Sequence, residues 1–209
     1  MLFRSKTLSE ACVDKNINLA TVAGEMRDTT TNAKAVMPFT EMTADQLISH
    51  ILVHHHFYVK QAIPVIMNML EKITSKHGPR YPHMHEVYQR FTAVKQDLEP
   101  HMQKEEQILF PMMKAHGNDS ASEPIAMLRS EHVDHGAALE HLLGLAQDTV
   151  PPEGACNTWC ALYAGIAQLN EDLINHIHLE NNVLFPAFES TAAPAKSGCG
   201  GGGHGCGCQ

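Results

Sequence analysis

The chain is poor in aromatic side chains, in basic residues and in long apolar runs. Phe, Tyr and Trp make up 6% of its 209 residues, with one Trp among them. Lys and Arg number 15 against 23 Asp and Glu, a formal charge of −8. So little positive charge leaves no basic face for a nucleic-acid groove. No apolar run approaches the ~18 residues of a membrane span, so no membrane partner is expected. The opening MLFRSKTLSEACVDKN has no apolar stretch of signal-peptide length, which points to a cytoplasmic protein. The six Cys fit no disulfide framework, because three crowd into the last eleven residues and the rest are scattered. A hydrophobic content of 44% is ample for a core and excludes wholesale disorder. What abounds is histidine. Its 15 copies outnumber Phe, Tyr and Trp together, and that asks for a metal.

Glycine is thin between Thr43 and Glu189, strand alternation is absent, and apolar residues recur at 3–4 spacing, so the fold is read as all-α. Four long helices are expected. The first runs from Thr43, a good N-cap, to Lys76, where HGPRYP stops it; the second runs from Pro82 to Ala115. The third opens at Ser122 and ends around Thr149-Val150-Pro151, and the fourth runs from Glu153 or Asn157 to Phe188. Short connections between long helices imply an antiparallel up-down-up-down four-helix bundle over residues 41–190. A short N-terminal helical remnant with its linker (1–40) precedes it, and a disordered Gly/Cys tail (191–209) follows. Pro64 and Pro100 fall inside the first two helices, where they should kink the backbone and ease movement near the ligand positions.

One pattern occurs twice. His101-Met-Gln-Lys-Glu105-Glu-Gln-Ile-Leu-Phe-Pro111 and His176-Ile-His-Leu-Glu180-Asn-Asn-Val-Leu-Phe-Pro186 both read H-x-x-x-E-x-x-[I/V]-L-F-P, which indicates an internal duplication. Residues four apart on a helix share a face, so each copy presents an imidazole and a carboxylate together. Both copies lie on apolar stripes. Leu98, His101, Glu105, Ile108 and Met112 continue one, and Leu173, His176, Glu180, Val183 and Ala187 the other. A carboxylate on a core stripe is expensive unless it is paired or metal-bound. A buried His–Glu hydrogen bond would explain one copy; two copies favour a metal.

The other two helices supply histidines at matching depth. His56 alone interrupts the stripe Ile48, Leu52, His56, Val59, Ile63, and His132 and His135 interrupt Ile125, Leu128, Leu139, Leu142. His56 precedes His101 by 45 residues and His132 precedes His176 by 44, so the duplication spans both halves. Four His and two Glu are too many for one tetrahedral ion and suit a dinuclear site. Imidazole and carboxylate without thiolate suit iron or manganese, and the excess of imidazole leans to iron, with zinc the second choice.

These motifs, with Ser130-Glu131-His132 and the stretch Val150-Pro-Pro-Glu-Gly-Ala-Cys-Asn-Thr-Trp159, resemble the hemerythrin-like di-iron proteins. More narrowly, the chain is similar to the repair-of-iron-centres family (the YtfE/ScdA type) over about residues 7–189. The resemblance implies that His56, His101, His132 and His176 are terminal ligands of two non-haem Fe ions. Glu105 and Glu180 would bridge them, with or without an oxo or hydroxo bridge. A family histidine in the first connection falls on His77, which is carried over as a further metal ligand. The implied function is repair of iron–sulfur clusters after nitrosative or oxidative damage, by iron donation. Partners would be damaged iron–sulfur proteins or a cluster-assembly scaffold, with NO or O2 as small ligands, for a monomer or homodimer. An NO reductase-like enzyme making N2O, or an O2/NO sensor or carrier, would use the same ligands, so enzyme status stays open, as does a purely structural bundle. The chain departs from the family at Phe3-Arg4-Ser5-Lys6, where a paired-cysteine motif would stand before Thr7-Leu8-Ser9-Glu10-Ala11.

The remaining signals are weaker. His54 and His55 adjoin His56 and are expected exposed or between helices, and Glu106, about 100° around the helix from Glu105, as a surface charge. His135 is either an extra ligand or a partner of one. Cys156 and Cys160 share a helix face as small packing residues, and Cys199, His204, Cys206 and Cys208 could hold a soft metal in a flexible loop.

Overall fold

The computed structural model describes Cys12, Asn18, Thr21 and residues 38–116 and 121–189. The expected N-terminal remnant and the Gly/Cys tail, with Cys199, His204, Cys206 and Cys208, lie outside the described residues. Thr43 opens the first helix with a capping box: Gln46 N donates to its Oγ1 at 3.3 Å, and Thr43 N donates to Gln46 Oε1 at 2.9 Å. Helix α1 then runs through Ala44–His50, a widened π turn Ile51–His56, and Phe57–His77. Helix α2 comprises His83–Lys104, a second π turn Glu105–Leu109, and Phe110–His116. Helix α3 is Ser122–Leu145, and helix α4 is Asn157–Leu179, a third π turn Glu180–Leu184 and a closing 3-10 turn Phe185–Ala187. Each helix packs on its neighbours in sequence, and α1 packs on α4, closing the ring. Consecutive long helices packed side by side make it the antiparallel bundle expected. Among the described residues no helix is long and apolar enough to cross a membrane.

Helix α3 stops earlier than the sequence suggests. Gln147, Asp148 and Thr149 have φ of 53, 53 and 61°, a left-handed turn that no glycine eases, before the chain swings over Pro151 and Pro152 into α4. Pro64 and Pro100 sit inside continuous α-helix. The irregular backbone lies instead in the three π turns, two of which run directly into Phe-Pro.

Those turns correct the expected core stripes. An α-helical stripe carried through Glu105 predicts Ile108 and Met112 inside, yet Ile108 is 54% exposed and Leu109, Phe110 and Met113 are buried. In α4, Leu184, Phe185 and Phe188 take the places expected for Val183 and Ala187. A π turn adds one residue to its helical turn, so every core position beyond it moves on by one. In α1 the same shift buries Ile51 in place of Leu52.

The apolar core falls into two clusters. The larger includes Val59, Ile63, Ile66, Phe91, Leu98, Leu139, Trp159 and Leu173. The smaller includes Ile48, Ile51, Leu109, Phe110, Ile125, Leu128, Leu184 and Phe185. Along every helix the buried polar residues fall between these two sets. A polar layer capped above and below by hydrocarbon is thereby shut off from water.

Candidate metal centre

Six of the side chains singled out by the duplication meet in that layer. His56, His101, His132 and His176 are at most 2% exposed, and Glu105 and Glu180 are fully buried. Glu105 Oε2 lies 3.3 Å from His56 Nε2, while its Oε1 lies 3.3 Å from His101 Nε2 and 3.9 Å from His132 Nε2. Glu180 repeats the pattern, with Oε1 at 3.1 Å from His176 Nε2 and Oε2 at 3.2 Å from His132 Nε2. Each carboxylate therefore offers one oxygen to each side. The side chains form two groups that could hold a cation, His56–His176 and His101–His132, each completed by both glutamates, with donor atoms within 4.8 Å of one another.

The far ring nitrogens say which protons are present. His56 Nδ1 donates to Glu106 Oε1 at 2.7 Å, His101 Nδ1 to Glu131 Oε2 at 2.8 Å, and His132 Nδ1 to Asn181 Oδ1 at 3.0 Å. With the proton on Nδ1, a neutral imidazole presents a bare lone pair at Nε2. Yet Nε2 of His56 faces Nε2 of His176 at 3.2 Å, and those of His101 and His132 face each other at 3.1 Å. Both oxygens of Glu105 and of Glu180 lack a hydrogen-bond donor. The facing lone pairs of His101 and His132, and the carboxylate oxygens left without a donor, are stable only with positive charge between them, from protons or from metal ions. The donor set, imidazole and carboxylate without sulfur, fits iron.

Protons show the same demand for positive charge. Burial lowers the pKa of His101, but the negative charge of Glu105 and Glu180 and the hydrogen bond to Glu131 outweigh it and lift the group to about 9. His56 is raised likewise, by Glu105, Glu180 and Glu106 against burial. Burial and the charge of Glu180 would raise Glu105, but His101 and His56 hold it below the ordinary carboxylate value. Glu180 lies well below it, because His176 and His132 overcome its burial.

Lys60 Nζ donates to both oxygens of Glu106 at 2.7 and 2.8 Å, and Lys104 pairs with Glu131, so two lysines balance the outer carboxylates. Phe185 stacks on His132 with 5.8 Å between centroids, and Phe110 packs on His56 at 5.9 Å. Two sequence expectations change here, for Glu106 and His77, and the alternatives for His135 narrow to one. Glu106, inside the turn that Glu105 opens, is a hydrogen-bond acceptor for His56 of α1. His135 is buried edge-on to His101 at 4.6 Å and stands outside both donor groups. Burial with the nearby His101 and His132 lowers its pKa to about 4, which keeps it neutral. His77 does not join the cluster. The 21 residues of Phe57–His77 carry it roughly 30 Å along the axis from His56, to the far end of the bundle. There its Nε2 lies 3.7 Å from Cys156 Sγ and its ring packs on Trp159. His55 is between helices, as one of its two expected placements had it, and His54 is exposed.

The residues that sequence reasoning missed are Glu131, Asn181 and Asp172. Two of them carried a signal, since Glu131 precedes His132 and Asn181 follows Glu180 as Glu106 follows Glu105.

The hemerythrin HHE cation binding domain matches residues 47–188, the span that carries every side chain of this centre. The chain belongs to the hemerythrin family. Within it, the hemerythrin-like chain stands with proteins named iron–sulfur cluster repair protein YtfE. That of Pectobacterium carotovorum is 36% identical over 181 residues, 87% of this chain and 82% of its own. That of Yersinia pseudotuberculosis shows the same identity and coverage. The hemerythrin-like segment thus coincides with the four helices described above.

Proposed function

We propose that the chain holds two iron ions bridged by Glu105 and Glu180 and gives up iron to repair iron–sulfur clusters damaged by nitrosative or oxidative stress. The observation that carries it is the set of four orphaned carboxylate oxygens, one from each glutamate toward each facing pair of imidazoles. In this reading His56 and His176 hold one ion and His101 and His132 the other. The repair role draws support from the relatives' printed name and from their coverage of most of this chain.

Iron held here would supply ferrous ion and one-electron chemistry. The chain's own residues do the rest. Glu106, Glu131 and Asn181 keep the Nδ1 protons of three imidazoles in place, so that their Nε2 lone pairs stay directed inward. The apolar clusters on either side exclude water and confine access to the flanks between helices. A glutamate with one oxygen on each side can release one ion while keeping the other.

The test is anaerobic incubation of the iron-loaded chain with a [4Fe–4S] enzyme inactivated by NO or peroxide. Recovery of the enzyme in proportion to iron lost from the chain is expected. No recovery while two irons remain bound would overturn the donation reading, and N2O formed from NO without loss of iron would assign the site to NO reduction.

A further inference from the structure

The two halves of the centre correspond position by position, and the acceptor that holds an imidazole Nδ1 proton is missing in one place. His56 matches His132, His101 matches His176, Glu105 matches Glu180 and Glu106 matches Asn181. Glu131, just before His132, accepts the Nδ1 proton of His101. Its counterpart just before His56 is His55, and there the correspondence fails. His55 stacks on His176, with 5.3 Å between centroids and 6° between planes, and His176 Nδ1 has no hydrogen-bond partner. His55 turns its own Nδ1 to Asp172 Oδ1 at 2.9 Å.

This leaves donor atoms idle beside the centre. His55 is 7% exposed and its Nε2 has no partner; Asp172 Oδ2 is buried and also has none. Asp172 lines a cavity of about 340 Å3 with Glu171, His54 and Asn175. His50 continues the imidazoles outward, 5.6 Å from the His55 ring and 4.4 Å from that of the exposed His54. Resting on the two-ion reading above, we propose that His55 and Asp172 form an exit station through which the ferrous ion held by His56 and His176 leaves ahead of its neighbour.

Three physical points support it. An imidazole whose Nδ1–H is tied to an acceptor is a better-oriented and more basic ligand, and His176 alone of the four lacks one. Unpartnered nitrogen and carboxylate oxygen are the donor types that ferrous iron accepts, so the ion can exchange ligands stepwise instead of crossing bare hydrocarbon. Two carboxylates at the cavity wall draw a cation outward. On the other half Glu131 is engaged by both His101 and Lys104, and His135 has no hydrogen-bonded carboxylate beside it. No electron moves in the step: the ion leaves the centre, passes the station and emerges as Fe2+.

The test is the release of ferrous iron from the full chain to a coloured chelator under anaerobic conditions, after loading to two irons per chain. Release in two phases of one iron each is expected. Asp172→Asn and His55→Phe should each slow the fast phase several-fold, because each removes a donor atom from the route. His55→Glu, which gives His176 an acceptor, should bring the two phases together. Glu171→Gln, a surface change that leaves the core intact, should slow the fast phase less. Mössbauer spectra of the half-emptied chain should show one iron environment. A single phase unaffected by Asp172→Asn and Glu171→Gln would overturn the exit station while leaving the two-ion reading intact. Failure of the chain to load two irons would overturn that reading, and this inference with it.

Discussion

Glu106 illustrates how the chemistry of a residue depends on what faces it. On α2 it follows a fully buried glutamate and is itself half-exposed, yet its Oε1 accepts hydrogen bonds from both His56 Nδ1 and Lys60 Nζ. Glu106→Leu should leave the fold intact and lower iron affinity by about 10–100-fold, read by competition with a chelator. Unchanged affinity would mean that His56 needs no orienting partner. His101 gives a pH prediction. Its folded value of about 9 lies above the ordinary ~6.5 of an unfolded imidazole, so its stabilisation is complete below ~6.5 and is lost as pH rises to 9. Metal-free protein should therefore show a lower urea midpoint at pH 9.5 than at pH 6. Iron takes the place of those protons, so loading at pH 7 should release protons, measurable by calorimetry in buffers of different ionisation heat.

The residue pairs also show where sequence reading stops. His101 with Glu105 and His176 with Glu180 were legible because helical geometry alone brings i and i+4 together, and the duplication named them twice. Glu106 faces a partner 50 residues away, Glu131 one 30 away, Asn181 one 49 away and Asp172 one 117 away. Such pairings follow from how the helices are rotated against each other, which no local pattern encodes. A family position that falls on His77 points it to the metal, and helix rise alone separates it from His56.

At the scale of the element, the π turns matter most. They begin at Glu105 and Glu180 and end at His56, and each shifts the core face beyond it by one residue. A strict 3.6-residue period places Ile108 inside and Phe110 outside, the reverse of what is found. A π turn leaves no signature in apolar periodicity except the slip itself, so the four helices were legible and this slip was not. The helices also divide the core into two apolar parts that should respond differently to mutation. Phe91→Ala, in the larger cluster, should cost about 3–5 kcal/mol in denaturant unfolding and leave iron stoichiometry unchanged. Phe185→Ala should cost a similar amount and also loosen iron, because that ring stacks on His132. Equal iron retention in the two variants would contradict the division.

Across the whole molecule, the bundle encloses two glutamates and four histidines between hydrocarbon layers. Without ions this arrangement must be held by protons alone. Iron loading should accordingly raise the midpoint of thermal unfolding, more strongly at pH 9 than at pH 6, where protons already neutralise part of the cluster. The most direct measurement is the metal content and Mössbauer spectrum of anaerobically prepared protein beside Glu105→Leu and Glu180→Leu variants. Two irons per chain with coupled spectra, the coupling lost in both variants, is the predicted result. One iron or none, or a zinc-filled site indifferent to both glutamates, would contradict it.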